Sequence, residues 1–136
     1  MHQIIVEYEG ELRTKAKHLQ SGNEIITDAP VDNHGKGEAF SPTDLVATAL
    51  ASCILTIMGI VAERRDIDLK GTTSEVTKVM GENPRRIAEI HIDIHFKSDI
   101  LNQDRKILEK AAHSCPVHQS LHGEFVKKKI IFNYSS

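Results

Sequence analysis

The sequence lacks the excess of basic charge that binding to nucleic acids or acidic membranes requires. Its 136 residues include 17 lysines and arginines and 19 aspartates and glutamates, which gives a formal net charge of −2. A protein that binds phosphate backbones usually presents a strongly basic face. We therefore expect neither a nucleic acid nor a membrane among its partners. The length fits one domain covering residues 1–136.

Cysteine is scarce, and so are the features of an export signal. The first residues contain no basic stretch followed by a long apolar segment, so we expect a cytoplasmic protein. In that compartment thiols are usually reduced, which disfavours a structural disulfide between Cys53 and Cys115. Packing, metal binding and redox chemistry remain open for these two residues. Metal binding is the least favoured of the three because no Cys-x-x-Cys spacing is present, so we predict no metal site.

One long segment lacks charge altogether. Residues 45–62 contain no charged side chain, which reaches the minimum length of a membrane-spanning helix. The segment includes Thr48, Ser52 and Gly59, however, and the rest of the chain reads as ordinary alternating strands. We therefore predict a long buried central helix. A monomer of this size can hardly cover a helix that is apolar on nearly every side, so we expect a homodimer that shares its burial.

The remaining pattern predicts an α+β fold in the order β-β-β-α-β-β-α-β. The predicted strands cover residues 4–8, 12–17, 24–27, 67–80, 86–97 and 125–134, and the predicted helices cover residues 42–65, 103–114 and 117–122. In the strand at 86–97 every second residue is apolar, which places one face in the core: Ile90, Ile92, Ile94 and Phe96. The basic cluster at 127–129 predicts a charged flank that protects a terminal strand from edge pairing.

Local residues set the expected helix ends. Ser41 and Asp44 form an S-x-x-D pattern typical of a helix N-terminus, and Asn102 is the expected cap of the second helix. Pro116 ends that helix, because proline has no amide hydrogen and disfavours helical geometry at the preceding residue. Cys115 thus lies at the start of the next helical turn, where free amides would favour a thiolate.

Two motifs resemble the OsmC/Ohr family, the osmotically inducible and organic hydroperoxide resistance proteins. Ser41–Cys53, with the sequence SPTDLVATALASC, resembles the helix motif of that family. Cys115–Leu121, with the sequence CPVHQSL, resembles its second motif. The separation of 62 positions between the cysteines, with an isoleucine-rich hairpin between them, is also similar. The resemblance extends over about residues 4–134.

This resemblance implies an intertwined homodimer, with two strand regions around the central helices and sites at the subunit interface. It also implies a stress-response peroxidase that reduces organic hydroperoxides to alcohols. In that role Cys53 would attack the peroxide, Cys115 would resolve the sulfenic acid as a disulfide, and Arg13 would favour the reactive thiolate. No bound cofactor is implied; the reductant would be an external dithiol such as a lipoyl group.

One position departs from the family pattern. Many members have a glutamate ten residues before the first cysteine, where it orients the arginine, but this sequence has Thr43 there. Asp44 and Glu38 are the candidate replacements. The departure leaves an alternative open, in which a divergent member with little peroxidase activity binds a small apolar ligand at the dimer interface.

Overall fold

Six strands and three α-helices are present in the computed structural model, which describes residues 2–135. In chain order they are β1 (Ile4–Gly10), β2 (Arg13–His18), β3 (Glu24–Asp28), α1 (Pro42–Arg64), β4 (Thr73–Gly81), β5 (Arg86–His95), α2 (Asn102–Ala112), α3 (Pro116–Ser120) and β6 (Lys127–Asn133). A short 3-10 helix, Val31–Asn33, lies between β3 and α1. The predicted α+β class and element order are confirmed. The chain divides into two compact units on either side of the Val46–Ala47 bond.

The first unit contains a three-stranded antiparallel sheet in the order β1-β2-β3. A tight turn joins β1 to β2, where Glu11 and Leu12 have φ values of 54° and 63° and Gly10 has a φ of 87°. In this chain the sheet exposes apolar side chains on both of its faces, including Val6 at 62% and Ile26 at 48% exposure. A sheet with two wet apolar faces normally requires cover from another element or chain.

The second unit is built on the sheet β4-β5-β6, in which β5 is the central strand. β4 pairs antiparallel with β5, and β6 pairs parallel with it. A parallel pair needs a crossover connection, which α2 and α3 provide. The alternation predicted for β5 is confirmed, because its inward side chains are all buried: Ile90, Ile92, Ile94 and the following Phe96. They form one core with Leu50, Ile54 and Met58 of α1.

Helix α1 begins with the predicted capping box. The amide of Ser41 donates to Asp44 Oδ2 at 3.0 Å, and the amide of Asp44 donates to Ser41 Oγ at 3.0 Å. Two amides that the helix itself cannot satisfy thus find partners. The helix ends at Arg64, one residue before the predicted end.

In a single chain, α1 is buried along one face only. Leu50, Ile54 and Met58 have no exposed surface, whereas a second stripe that includes Ser52, Thr56 and Ile60 faces out. Burial on all sides therefore depends on the expected dimer and stays a prediction. Among the described residues α1 alone has the length and apolar composition of a membrane span, with a mean hydropathy of 2.3. Core helices of soluble proteins meet the same criterion.

Most element boundaries differ from the sequence prediction by one or two residues, and the start of β4 differs by six. Strand β4 begins at Thr73 rather than Ile67, because residues 67–72 lie outside the sheet and include a turn closed by the backbone bond from Thr72 N to Leu69 O at 3.0 Å. The final strand begins at Lys127 rather than residue 125. The predicted cap of α2 was wrong: Leu101 is the N-cap and makes no side-chain cap bond, because the helix starts one residue earlier and already includes Asn102.

Candidate active site

Cys53 lies at the middle of α1, next to the stripe of that helix that enters the core of the second unit. Its neighbours Leu50 and Ile54 are fully buried, while Cys53 itself is half-buried and packs against the same core. Its thiol is not part of a disulfide. Cys53 is thus held by a rigid helix and keeps part of its surface accessible in this chain.

Cys115 is the N-cap of α3 and has no exposed surface. Its backbone is extended, with φ −66° and ψ 144°, as expected for a residue that precedes a proline. The amide of His118 donates to Cys115 Sγ at 3.2 Å, and the amide of Val117 also lowers the pKa of this thiol. The helix break predicted at Pro116 is therefore confirmed, and it directs the backbone amide of His118 at the thiol.

The two thiols lie near one another, since Cys53 packs against the core cluster that contains Cys115 and influences the pKa of its thiol. Burial is the main reason that the pKa of Cys115 is raised above its ordinary value, and Cys53 raises it further. The amides of His118 and Val117 lower this pKa, but their effect is smaller than that of burial. Cys115 therefore favours the protonated thiol, contrary to the expectation from its amides alone. A thiol that keeps its proton can donate it to the sulfur of Cys53.

A basic side chain from β6 holds the turn that carries Cys115. Lys128 Nζ donates to the carbonyl of His118 at 3.0 Å and also to the carbonyl of Leu121. These carbonyls lie at the C-terminal end of α3, where a cation is favourable. The sequence interpretation of this lysine as an edge guard was incomplete, because Lys128 is half-buried, whereas Lys127 and Lys129 are exposed.

Two histidines flank the same turn. His113 Nδ1 and His118 Nε2 are 3.4 Å apart, and their rings meet edge to face. Burial is the main reason that the pKa of His118 is lowered, with Lys128 and His113 acting in the same direction. Its ring therefore takes up a proton less readily than an ordinary imidazole. Among residues 2–135, no group of three or more histidines, cysteines, aspartates and glutamates is placed to hold a metal ion.

In the first unit, Arg13 is fixed by two carboxylates. Its Nε and Nη2 atoms bond to the two oxygens of Asp28 at 2.7 and 2.8 Å, and Nη2 also bonds to Glu38 Oε1 at 3.1 Å. The amide of Glu38 in turn donates to Asp28 Oδ2 at 3.1 Å. Chiefly because of its hydrogen bonds with Arg13, the pKa of Asp28 is lowered, and the pKa of Arg13 is raised.

Asp28 was missed by the sequence analysis, and Glu38 was one of its candidates. The predicted strand ended at Thr27, whereas β3 continues through Asp28 and pairs it directly with Arg13. No sequence signal gave the register of β2 and β3, in which Lys17 lies opposite Glu24 and Arg13 opposite Asp28. Asp44 caps α1 instead, and Thr43 Oγ1 bonds to Ser41 Oγ at 3.2 Å. The structure therefore groups Arg13 with Glu38 and Asp28 in one unit, and Cys53 with Cys115 in the other.

Comparison with known proteins identifies the family. The sequence pattern of the OsmC-like proteins matches residues 35–127, more than half of the chain, and the chain belongs to this family. A crystal structure from Psychrobacter arcticus 273-4, provisionally described as an osmotic stress induced and detoxification response protein, shares 56% identity and a TM-score of 0.94. The match covers 98% of this chain and 96% of that chain. The family that the two cysteine motifs predicted is therefore confirmed.

More distant structures share the fold. An organic hydroperoxide resistance protein OsmC from Legionella pneumophila is 21% identical, with a TM-score of 0.72 and coverage of 98% of both chains. A Vibrio cholerae protein, provisionally described as an organic hydroperoxide resistance protein with captopril in one of its active sites, is 18% identical. Its TM-score is 0.74, and the match covers 98% of this chain and 92% of that chain. No curated protein matches the sequence.

Proposed function

We propose that this protein reduces organic hydroperoxides to alcohols through a disulfide cycle between Cys53 and Cys115. The proximity of these two reduced thiols, which belong to the same core and interact electrostatically, carries the proposal. It is supported by membership of the OsmC-like family and by structural neighbours described as organic hydroperoxide resistance proteins. A two-cysteine cycle needs its sulfurs within reach of one another, and disulfides require Cα atoms no more than about 7 Å apart.

The first step oxidises Cys53. Its thiolate attacks the terminal oxygen of the hydroperoxide, so that an S–O bond forms and the O–O bond breaks. The alkoxide that leaves takes a proton from water and becomes the alcohol, while Cys53 becomes a sulfenic acid. Cys53 is assigned this role because it is half-buried, whereas Cys115 is fully buried and favours its protonated form.

The second step forms the disulfide. The sulfur of Cys115 attacks the sulfenic sulfur of Cys53, the S–O bond breaks, and the hydroxyl group leaves as water with the proton of Cys115. Two thiols have then been exchanged for one disulfide, and the peroxide has been reduced by two electrons. An external dithiol restores both thiols by exchange. We propose a lipoyl group as this reductant, from the family resemblance, and no bound cofactor.

Arg13 is proposed as the cation that keeps the reactive thiol ionised. A thiol in apolar surroundings has a raised pKa unless a positive charge offsets the loss of solvent. The carboxylates of Asp28 and Glu38 hold the guanidinium in one orientation. Asp28 and Glu38 would thus do together what the family glutamate does at the position of Thr43.

A homodimer and a cytoplasmic location complete the proposal. The apolar residues exposed on the β1-β2-β3 sheet and on the outer stripe of α1 need cover, which a second copy of the chain provides. Light scattering should give twice the mass of the 15.2 kDa chain. A monomer at micromolar concentration would contradict the dimer.

The proposed function is tested by titrating thiols after one equivalent of cumene hydroperoxide. We expect rapid loss of both thiols and a Cys53–Cys115 disulfide in the peptide digest. Cys53→Ser should abolish turnover, whereas Cys115→Ser should still form one sulfenic acid at Cys53 but should not be recycled through an intramolecular disulfide. Two thiols that survive the peroxide would contradict the function and favour a non-peroxidase role for the fold. Equal and mild effects of both variants would contradict the roles.

A further inference from the structure

We infer that reduction of the Cys53–Cys115 disulfide runs in one direction only: the incoming thiolate attacks the sulfur of Cys53, and Cys115 is the leaving group. The inference rests on the proposed function and specifies its reductive half. A mixed disulfide would consequently form between the reductant and Cys53. No mixed disulfide between the reductant and Cys115 would form while the protein is folded.

Access to the two sulfurs differs. Cys115 has 0% exposed surface in the single chain, and association with further subunits can only add to its burial. Cys53 is half-buried on α1. Because the hydroperoxide must reach Cys53 in the first half of the cycle, a path to that sulfur exists whatever else covers the helix. The reductant can use the same path, since exchange requires the attacking sulfur to meet its target directly.

The surroundings of Cys115 act on its departure in two opposite ways. Burial raises the pKa of its thiol, which makes the thiolate a poorer leaving group, whereas the backbone amides beside the sulfur lower that pKa by a smaller amount. The direction of attack therefore rests on the difference in access between the two sulfurs. When the S–S bond breaks, negative charge develops on Cys115 Sγ, which already accepts a hydrogen bond from the amide of His118. Such donors stabilise charge where it develops and need no reorganisation. Lys128 holds the turn that carries this amide from its other end.

The thiolate of Cys115, once released, also competes little with the reductant for attack on the mixed disulfide. Burial raises the pKa of Cys115, so the released thiolate is soon protonated and becomes a poor nucleophile toward the mixed disulfide.

The complete exchange has two steps. In the first, a reductant thiolate forms an S–S bond with Cys53 as the Cys53–Cys115 bond breaks. The second thiol of a dithiol then attacks the reductant sulfur, closes the oxidised reductant and releases the thiolate of Cys53.

A test of direction must not depend on peroxidase activity. The full-length protein is therefore oxidised with diamide, which forms disulfides without a peroxide, and is mixed with the monothiol 2-mercaptoethanesulfonate. Samples are quenched at short times in acidic denaturant containing N-ethylmaleimide, and the adducts are located by mass spectrometry of the digest. We expect the sulfonate adduct on Cys53 to exceed that on Cys115 at least tenfold. The maleimide should mark Cys115.

The matched control is the same disulfide protein in concentrated guanidinium, where we expect similar adducts on both cysteines because the fold no longer covers Cys115. Comparable adducts in the folded protein, or a predominant adduct on Cys115, would overturn the inference and leave the two-cysteine cycle intact. If diamide produces no Cys53–Cys115 disulfide, the inference and the proposed cycle both fail. A protein that forms this disulfide with diamide but not with hydroperoxide would refute the peroxidase function alone.

Discussion

Arg13 and Asp28 face each other across β2 and β3 and form a two-bond ion pair, with distances of 2.7 and 2.8 Å. The side chain of Asp28 is 1% exposed, whereas Glu38, which contacts the same guanidinium, is 65% exposed. An exposed carboxylate is well solvated with or without its partner, so its contact with an arginine contributes little. A buried carboxylate depends on that partner. Asp28 is therefore the residue that fixes Arg13.

This difference predicts unequal effects of two matched substitutions. Asp28→Asn should lower the urea midpoint of unfolding clearly, because it leaves Arg13 without its two-bond partner, while Glu38→Gln should change it little. Both variants remove one negative charge, so a general charge effect would be the same in each. Urea titrations of the two variants and the parent protein provide the comparison. Equal midpoints for the variants would contradict the assignment.

The same ion pair predicts a pH dependence. The pKa of Asp28 is lowered from its ordinary value of 3.8, chiefly by Arg13, so the folded state binds this proton less readily than the unfolded chain does. The stabilising contribution is thus fully present above the ordinary value and is lost as the pH falls below it. The difference in unfolding free energy between the parent protein and Asp28→Asn should shrink in that acidic range. A difference that grows toward low pH would have the wrong sign.

Arg13 itself is tested through thiol reactivity. In Arg13→Ala we expect the apparent pKa of the reactive thiol to rise, because the positive charge proposed to favour its thiolate is gone. Arg13→Lys should give a smaller rise, since lysine keeps the charge but cannot form the planar two-bond contact with Asp28. Rates of iodoacetamide alkylation against pH, measured on Cys115→Ser backgrounds, report this value for Cys53. An unchanged curve would remove Arg13 from the site.

Sequence patterns predicted the parts of this structure that depend on neighbouring residues. The capping box of Ser41 and Asp44 is set within one turn, and the alternation in β5 is a property of one strand. Pro116 likewise fixes the backbone of the residue before it. Each of these features follows from local geometry, so no knowledge of the tertiary arrangement was necessary.

The parts that the sequence did not reveal depend on strand register and long-range packing. Asp28 meets Arg13 only because the β2–β3 register places them opposite each other. Lys128 bonds to α3 only because β6 lies beside β5 and turns this one side chain of a basic cluster inward. A run of three lysines gives no indication of which one is buried. These positions require the fold before their roles can be assigned.

The capping box predicts a modest stability effect. Asp44→Ala removes the acceptor for the amide of Ser41, and we expect it to lower the free energy of unfolding by about 1 kcal/mol. Asp44→Asn should lose less, because its side-chain oxygen can still accept from that amide. Chemical denaturation of both variants gives the comparison. A larger loss in the asparagine variant would mean that the charge of Asp44 matters more than its role as an acceptor.

Lys128 connects β6 to the turn that carries Cys115, and its removal should affect stability and chemistry together. Lys128→Met deletes the bonds to the carbonyls of His118 and Leu121 but keeps the aliphatic part of the side chain. Hydrogen bonds to charged groups contribute about 1.5–3 kcal/mol, and we expect a loss of unfolding free energy in that range. Lys127→Met is the matched control, because Lys127 is exposed and neighbouring in sequence. Its effect should be within about 0.5 kcal/mol.

The chemical consequence is a slower second step. A loosened turn would hold Cys115 less firmly against Cys53, so the sulfenic acid should persist longer before the disulfide forms. Under conditions where Lys128→Met is folded, dimedone added with one equivalent of cumene hydroperoxide should label Cys53 more than it does in Lys127→Met. Loss of the first thiol should be equally fast in both variants. Equal dimedone labelling would show that Lys128 stabilises the fold without positioning Cys115, because a purely structural role would leave the competition between labelling and disulfide formation unchanged.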